Sequence, residues 1–101
     1  MREYSIVLPT HDNDGISLAE LHNSLKRQLI NMFDGYSATA QTGGWLNAEG
    51  ELFEEPSIRY TVAGLDEKLV MSTARKYGIL GNQQAMYVVL DGTVKIITIG
   101  E

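Results

Sequence analysis

The sequence predicts an α+β fold, and three observations support this class. Short segments that alternate apolar and polar residues, as half-buried strands do, recur along the chain. Longer segments between them repeat apolar residues every three or four positions, which is typical of amphipathic helices. The two kinds of segment follow each other in the order strand, helix, strand, strand, helix, strand, strand.

The first strand and the first helix are marked by their boundary residues. Residues 4–8 alternate, and Pro9 is expected to end the strand because proline has no amide hydrogen to donate. Ser17 and Glu20 have the spacing of a capping box, so Ser17 is predicted to cap the first helix. Gly35 is expected to end this helix. The apolar stripe of the helix consists of Leu18, Leu21, Leu25, Leu29 and Met32.

A long hairpin is predicted in the middle of the chain. Residues 36–42 and 57–63 alternate as strands do, and residues 47–50 contain the polar residues and glycine of a turn. Gly43 and Gly44 lie within the first of these strands. Paired glycines in a strand often mark a bulge, so we expect a kink or bulge at this point.

The second helix and the last hairpin complete the predicted fold. Asp66 is a good N-cap for the helix, and Gly78 is expected to end it. Residues 86–90 and 93–99 flank Asp91-Gly92, a strong hairpin signal. The resulting βαββαβ order, with one appended C-terminal strand, is that of the ferredoxin-like split βαβ fold. Both helices are then expected on one face of a mostly antiparallel sheet, within a single domain spanning residues 1–101.

Composition and charge exclude several classes of function. The 13 acidic and 8 basic residues give a net charge of −5, which argues against a nucleic-acid partner. The absence of cysteine excludes thiolate catalysis and thiolate metal sites. No apolar run approaches the length of about 20 residues that a membrane helix needs. The sequence therefore predicts a cytoplasmic protein with no membrane partner, no cofactor and no metal.

The sheet face opposite the helices is expected to carry an apolar cluster. Strand alternation assigns Val94 and Ile96 to the helix side, and it assigns four other apolar residues to the uncovered face. These residues are Val7, Val89, Ile97 and Ile99. A cluster of this size is unusual on a monomer, so we predict a homo-oligomer, most simply a homodimer formed through this face. The alternative is a loop that folds over the cluster.

The most distinctive local feature is a Thr-Gly-Gly-Trp segment. Glycine amides can approach a ligand closely, and Trp45 can stack on a ring. Arg59 is expected on the uncovered face, where it can pair with an anion. The predicted ligand-binding residues are therefore Thr42, Gly43, Gly44, Trp45 and Arg59. The alternative is a bulged hairpin in which Trp45 packs against Phe53.

The same hairpin carries a family resemblance. The segment Gly-Trp-Leu-Asn-Ala-Glu-Gly at residues 44–50, followed by Glu54-Glu55-Pro56, resembles a hairpin of some small uncharacterised bacterial and phage proteins. Those proteins also have a strand and a helix before the hairpin, so the resemblance covers about half of the chain. It implies the hairpin and assigns no chemistry.

Three functions follow from these observations. The favoured one is a small binding or regulatory protein, because no catalytic motif is present and a small-molecule site is predicted at the hairpin. The second is a small enzyme of the dimeric α+β barrel type, in which His11 transfers a proton. The third is a phage-type interaction or inhibitor protein with a protein partner, which would use the acidic residues Glu49, Glu51, Glu54 and Glu55.

Overall fold

Five antiparallel strands form one sheet, and both helices pack against it. The computed structural model describes residues 1–99. The elements are β1 (Arg2–Pro9), α1 (Ala19–Phe33), β2 (Ser37–Leu46), β3 (Leu52–Gly64), α2 (Glu67–Leu80), β4 (Ala85–Leu90) and β5 (Thr93–Thr98). The strand order is β2-β3-β1-β4-β5, so β5 is the appended strand at one edge. The predicted α+β fold and its split βαβ order are confirmed.

The core lies between the two helices and one face of the sheet. α1 packs against β3, and α2 packs against β1 and β4. Gly78 lets α2 approach the sheet closely, because a Cβ atom there would lie 2.7 Å from Met86 Cγ. The largest fully buried side chains include Tyr4, Ile6, Leu8, Leu25, Leu29, Tyr60, Val70, Tyr77, Met86 and Val88. Neither helix within residues 1–99 is long and apolar enough to span a membrane.

The start of α1 differs from the prediction. Leu18 is the N-cap residue, so the predicted capping box of Ser17 and Glu20 is wrong, although the Ser17 hydroxyl accepts a hydrogen bond from the Ala19 amide at 3.3 Å. Ser17 instead forms an isolated β-bridge with His11, and the Leu18 amide donates to the Thr10 carbonyl oxygen at 2.9 Å. The segment before the helix is therefore tied to the end of β1. Burial of Leu18 adds to this restraint, and the helix begins at Ala19.

Both helices also end at residues other than the predicted ones. α1 ends at Phe33, and its C-cap residue is Asp34, whose φ of 66° is left-handed, one residue before Gly35. α2 continues past Gly78 to Leu80, and Gly81 is its C-cap residue. Gly78 is buried against β4, so it provides space for packing and does not end the helix.

The β2–β3 hairpin is regular and long. Its pairing runs without interruption from Ser37 opposite Thr61 to Leu46 opposite Leu52, so the predicted kink or bulge at the two glycines is wrong. The turn lies where it was predicted, and the Asn47 side-chain oxygen accepts hydrogen bonds from the amides of Glu49 and Glu51. Every residue of β2 is exposed, because the helices pack mainly over β1, β3 and β4. We refer to residues 42–56 as the arm.

The β4–β5 hairpin turns at Asp91-Gly92, as predicted. Both residues have positive φ angles, 51° and 91°, as a type I′ turn requires. The two-residue loop places Leu90 opposite Thr93, so an even-numbered residue pairs with an odd-numbered one.

This pairing reverses the predicted faces of β5. Ile97 is 3% exposed and belongs to the core, and Ile99 packs against the core. Their predicted position on the uncovered face is therefore wrong. Val94 and Ile96, which were expected to face the helices, pair with the β4 residues of the uncovered face and are more than half exposed. The apolar part of that face consists of Val7, Tyr87, Val89, Val94 and Ile96.

Candidate functional site

The sheet face without helices carries a cleft that we call the open-face cleft. Its volume is about 440 Å³, within the range of small-molecule sites. The base of the arm forms one wall, and β1, β3 and the start of β4 form the rest. Its polar and aromatic lining consists of Gln41, Glu55, Ser57, Arg59, Gln83 and Tyr87.

The predicted ligand-binding residues are only partly brought together. Gly43, Gly44 and Arg59 line the open-face cleft. Thr42 does not, because strand alternation points it to the other face. Trp45 lies nearer the tip of the arm and stacks on Phe53, with ring centroids 4.8 Å apart and an interplanar angle of 17°. Ligand binding by these residues stays a prediction.

Among residues 1–99, the charged groups of Arg59 and Glu55 form no ion pair with each other or with neighbours. The ion pair found within residues 1–99 joins Arg2 Nε to Asp91 Oδ2, which lie 4.0 Å apart. Neither Arg59 nor Glu55 has a partner of this kind in the described part of the chain. A guanidinium without a carboxylate partner is suited to a carboxylate of a ligand. The cleft therefore offers a cation, an anion and the aromatic ring of Tyr87 to one small molecule.

A second cleft lies on the opposite face, between α1 and β2, and we call it the helix-side cleft. Its volume is about 410 Å³. His11, the predicted proton-transfer residue, lines this cleft together with His22, Lys26 and Tyr60. The exposed His11 ring bonds the Thr10 hydroxyl through Nδ1 at 2.9 Å. His11 and the predicted ligand-binding residues therefore lie on opposite faces of the sheet.

The floor of the helix-side cleft holds a buried histidine–tyrosine pair. His22 Nε2 lies 2.8 Å from the Pro9 carbonyl oxygen, and His22 Nδ1 lies 2.6 Å from the Tyr60 hydroxyl. A carbonyl oxygen can only accept, so Nε2 carries the proton and donates it to Pro9. Nδ1 then accepts from the Tyr60 hydroxyl.

Burial keeps both members of this pair neutral. It lowers the pKa of His22 below the usual 6.5, an effect opposed by the hydrogen bond to Pro9 and reinforced by the charge of Lys26. Burial also raises the pKa of Tyr60 to about 12, and the neighbouring Tyr36 acts in the same direction. At neutral pH, Tyr60 is therefore a hydrogen-bond donor and not a base.

The lowered pKa of His22 predicts a loss of stability in acid. Below pH 6.5 the unfolded chain binds a proton at His22 that the native protein does not bind until its lower folded pKa is reached. The contribution of His22 to the free energy of unfolding is therefore complete above pH 6.5. It is lost as the pH falls from 6.5 through the lower pKa of the folded protein. Urea unfolding of the wild type and of His22→Gln between about pH 7.5 and about pH 5 measures it.

His22→Gln is expected to lose less stability in acid than the wild type does. His11→Gln, which changes an exposed histidine of the same cleft, is the matched control for the loss of an imidazole. An identical slope in His22→Gln and wild type would contradict the assignment.

The sequence contains a signal for the buried histidine–tyrosine pair, which is the position of His22 on the apolar side of α1. His22 lies four residues after Leu18 and three before Leu25, so it falls on the apolar stripe of α1. Tyr60 alternates with Arg59 and Thr61, so it lies on the opposite face of the strand from them, which is the helix side. A histidine on an apolar stripe needs a buried partner, and an inward tyrosine can supply one.

The fold and the clefts define a small α+β protein with a ligand-sized cleft on its uncovered sheet face. Two solved structures are similar to it. One is a phage SAM lyase in complex with S-methyl-5′-thioadenosine, with a TM-score of 0.69, 18% identity, and coverage of 95% of this chain and 88% of the other. The second is a phage SAM lyase in the apo state, with a TM-score of 0.67, 16% identity, and coverage of 98% and 90%.

These similarities show a shared fold over nearly the whole of both chains. No protein-family model matches the chain, and no curated protein matches it by sequence.

Proposed function

We propose that this protein binds S-adenosylmethionine (SAM) in the open-face cleft and cleaves it to S-methyl-5′-thioadenosine. The observation that carries the proposal is the chemistry of the cleft, where Arg59 has no charged partner within residues 1–99 and lies with Glu55 and Tyr87. The likeness to phage SAM lyases over 95% and 98% of this chain supports the choice of ligand.

Each group of the ligand has a counterpart in the cleft. The guanidinium of Arg59 can hold the carboxylate of the methionine arm through two parallel hydrogen bonds. Glu55 attracts the ammonium and the sulfonium, and the protein's net charge of −5 favours approach of a ligand that is cationic overall. The half-exposed ring of Tyr87 can stack on the adenine or face the sulfonium.

Cleavage of a sulfonium places few demands on acid–base groups. The sulfonium sulfur takes the electron pair of the broken bond to the γ-carbon. It therefore leaves as a neutral thioether and needs no proton. Internal attack by one oxygen of the substrate's own carboxylate forms a C–O bond at the γ-carbon of the methionine moiety as the bond from this carbon to sulfur breaks, and it closes a five-membered lactone without consuming water or a second substrate. The protein then has to hold the methionine arm folded. Arg59 would achieve this by keeping its hydrogen bond to the second carboxylate oxygen while its bond to the attacking oxygen is released.

Incubation of the purified protein with SAM tests the proposal. Chromatography with mass spectrometry should detect S-methyl-5′-thioadenosine accumulating beyond one equivalent of protein. Incubation without protein is the necessary control, because SAM slowly decomposes to the same thioether. Absence of both binding and product would overturn the proposal as a whole.

A regulatory binding protein is the second candidate, and it would use the same cleft. The observation that favours it is the position of the histidine–tyrosine pair, which lies on the other face of the sheet and not in the open-face cleft. Saturable binding of SAM without product, measured by calorimetry, would support this candidate and overturn cleavage.

A further inference from the structure

The arm exposes large apolar side chains on both of its faces. Trp45 and Phe53 lie opposite each other on one face, and Leu46 and Leu52 lie opposite each other on the other. Their exposed fractions are 54%, 43%, 64% and 63%. Apolar side chains grouped in this way on a projecting ribbon are typical of a surface that another protein covers.

The arm is also acidic. Glu49 and Glu51 lie at its turn and Glu54 follows on β3, whereas Glu55 lines the open-face cleft. None of these carboxylates has a basic partner within 4.0 Å among residues 1–99. A partner for the arm therefore needs an apolar floor and a basic rim.

The outer surface of α2 has both properties, in a groove of about 500 Å³ that we call the α2 groove. Met71 and Ile79 contribute its apolar floor, and Ile79 is 62% exposed. Lys68, Arg75 and Lys76 line it, against a single acidic residue, Glu67. No carboxylate lies within 4.0 Å of these basic groups in the part of the chain that the structure describes.

The arm cannot reach the α2 groove of its own chain. It extends from β2 and β3 at one side of the sheet, whereas α2 packs over β1 and β4 toward the other side. We propose that the arm of one copy docks in the α2 groove of a second copy. This contact joins two different surfaces, so each copy can bind one neighbour through its arm and another through its groove.

This arrangement differs from the expected homodimer formed through the uncovered sheet face. A face-to-face dimer would cover the open-face cleft, whereas docking of arm residues 45–54, none of which lines the cleft, leaves it accessible. The exposed side chains and the opposite charges of arm and groove both favour the arm contact, and opposite charges also speed and orient association.

Charge reversal in pairs tests the proposal. The arm variant carries Glu49→Lys and Glu54→Lys, which leaves the hydrogen bonds between Asn47 and Glu51 in place. The groove variant carries Lys68→Glu and Arg75→Glu. Sedimentation velocity should show that the wild type self-associates and that each variant alone does so with a dissociation constant at least about tenfold higher.

The decisive sample is the equimolar mixture of the two variants. The lysine-bearing arm of one then meets the glutamate-bearing groove of the other, and the remaining acidic arm meets the remaining basic groove, so the mixture should associate like the wild type. Restored association also shows that both variants are folded. Arg27→Glu, which changes an exposed residue of α1 outside both surfaces, should leave association unchanged.

Three results would overturn the proposal. They are a wild type that stays monomeric at all concentrations, a mixture that does not reassociate, and association that resists both charge reversals. Disruption by Ile96→Lys alone, with both charge-reversed variants still associating, would establish the face-to-face dimer instead.

Discussion

Replacement of Arg59 by Gln is expected to weaken binding of SAM by about 10- to 100-fold. Hydrogen bonds to charged groups contribute roughly 1.5–3 kcal/mol, and a factor of ten in affinity corresponds to 1.4 kcal/mol. Glutamine keeps a polar side chain of similar reach but lacks the charge and the two parallel donors that a carboxylate needs. Isothermal titration calorimetry on both proteins measures the difference.

Two further variants make this result specific. Arg27→Gln removes a guanidinium from the exposed surface of α1, outside the cleft, and should bind SAM like the wild type. Arg59→Lys keeps the charge but not the paired donors, so its affinity should be intermediate. Wild-type affinity in Arg59→Gln, in a protein with unchanged thermal unfolding, would remove Arg59 from the site.

Replacement of Tyr60 by Phe is expected to lower the free energy of unfolding by about 1–3 kcal/mol. The change leaves His22 Nδ1 buried without the donor that lies 2.6 Å away in the native protein. An unsatisfied buried acceptor costs roughly this amount, because it gives up water and gains nothing. Urea unfolding at neutral pH measures the loss.

The chain provides a matched control for this variant. Tyr4 is as deeply buried as Tyr60, each being 1% exposed, but the Tyr4 hydroxyl is the buried side-chain atom without a hydrogen-bond partner among residues 1–99. Tyr4→Phe should therefore be neutral or stabilising. Equal losses in the two phenylalanine variants would show that the pairing with His22 contributes nothing to stability.

Local patterns were sufficient for the order of elements and insufficient for their ends. Alternation and helical spacing report which segment buries a face, and this property survives in the folded protein. The residue at which a helix begins or ends also depends on tertiary contacts made by the residues near its ends. Ser17 has a good capping sequence, but its bridge to His11 fixes the chain before α1, and Gly78 fills a packing position that its sequence neighbours do not reveal.

The faces of β5 could have been predicted correctly from the sequence. A two-residue turn at Asp91-Gly92 places Leu90 opposite Thr93, so the inward residues change from even to odd numbers across the turn. Ile97 then falls in the core by arithmetic alone. The error arose because one numbering parity was kept through both strands.

The open-face cleft was partly predictable for a similar reason. Gly43 and Arg59 share a face because both lie at odd positions in a hairpin of regular register, and the same rule excludes Thr42. Gln83 and Tyr87 reach the cleft only because β4 lies next to β1. That neighbour relation depends on the whole topology, which no short segment of sequence contains.

The position of Trp45 determines what fluorescence can report about this protein. It is the single tryptophan of the chain, it is 54% exposed, and it lies on the arm. Its emission is therefore sensitive to contacts at the arm and largely insensitive to the core, where Tyr4, Tyr60 and Tyr77 are buried. A blue shift of tryptophan emission on concentrating the protein would report association, whereas global unfolding is better followed by circular dichroism.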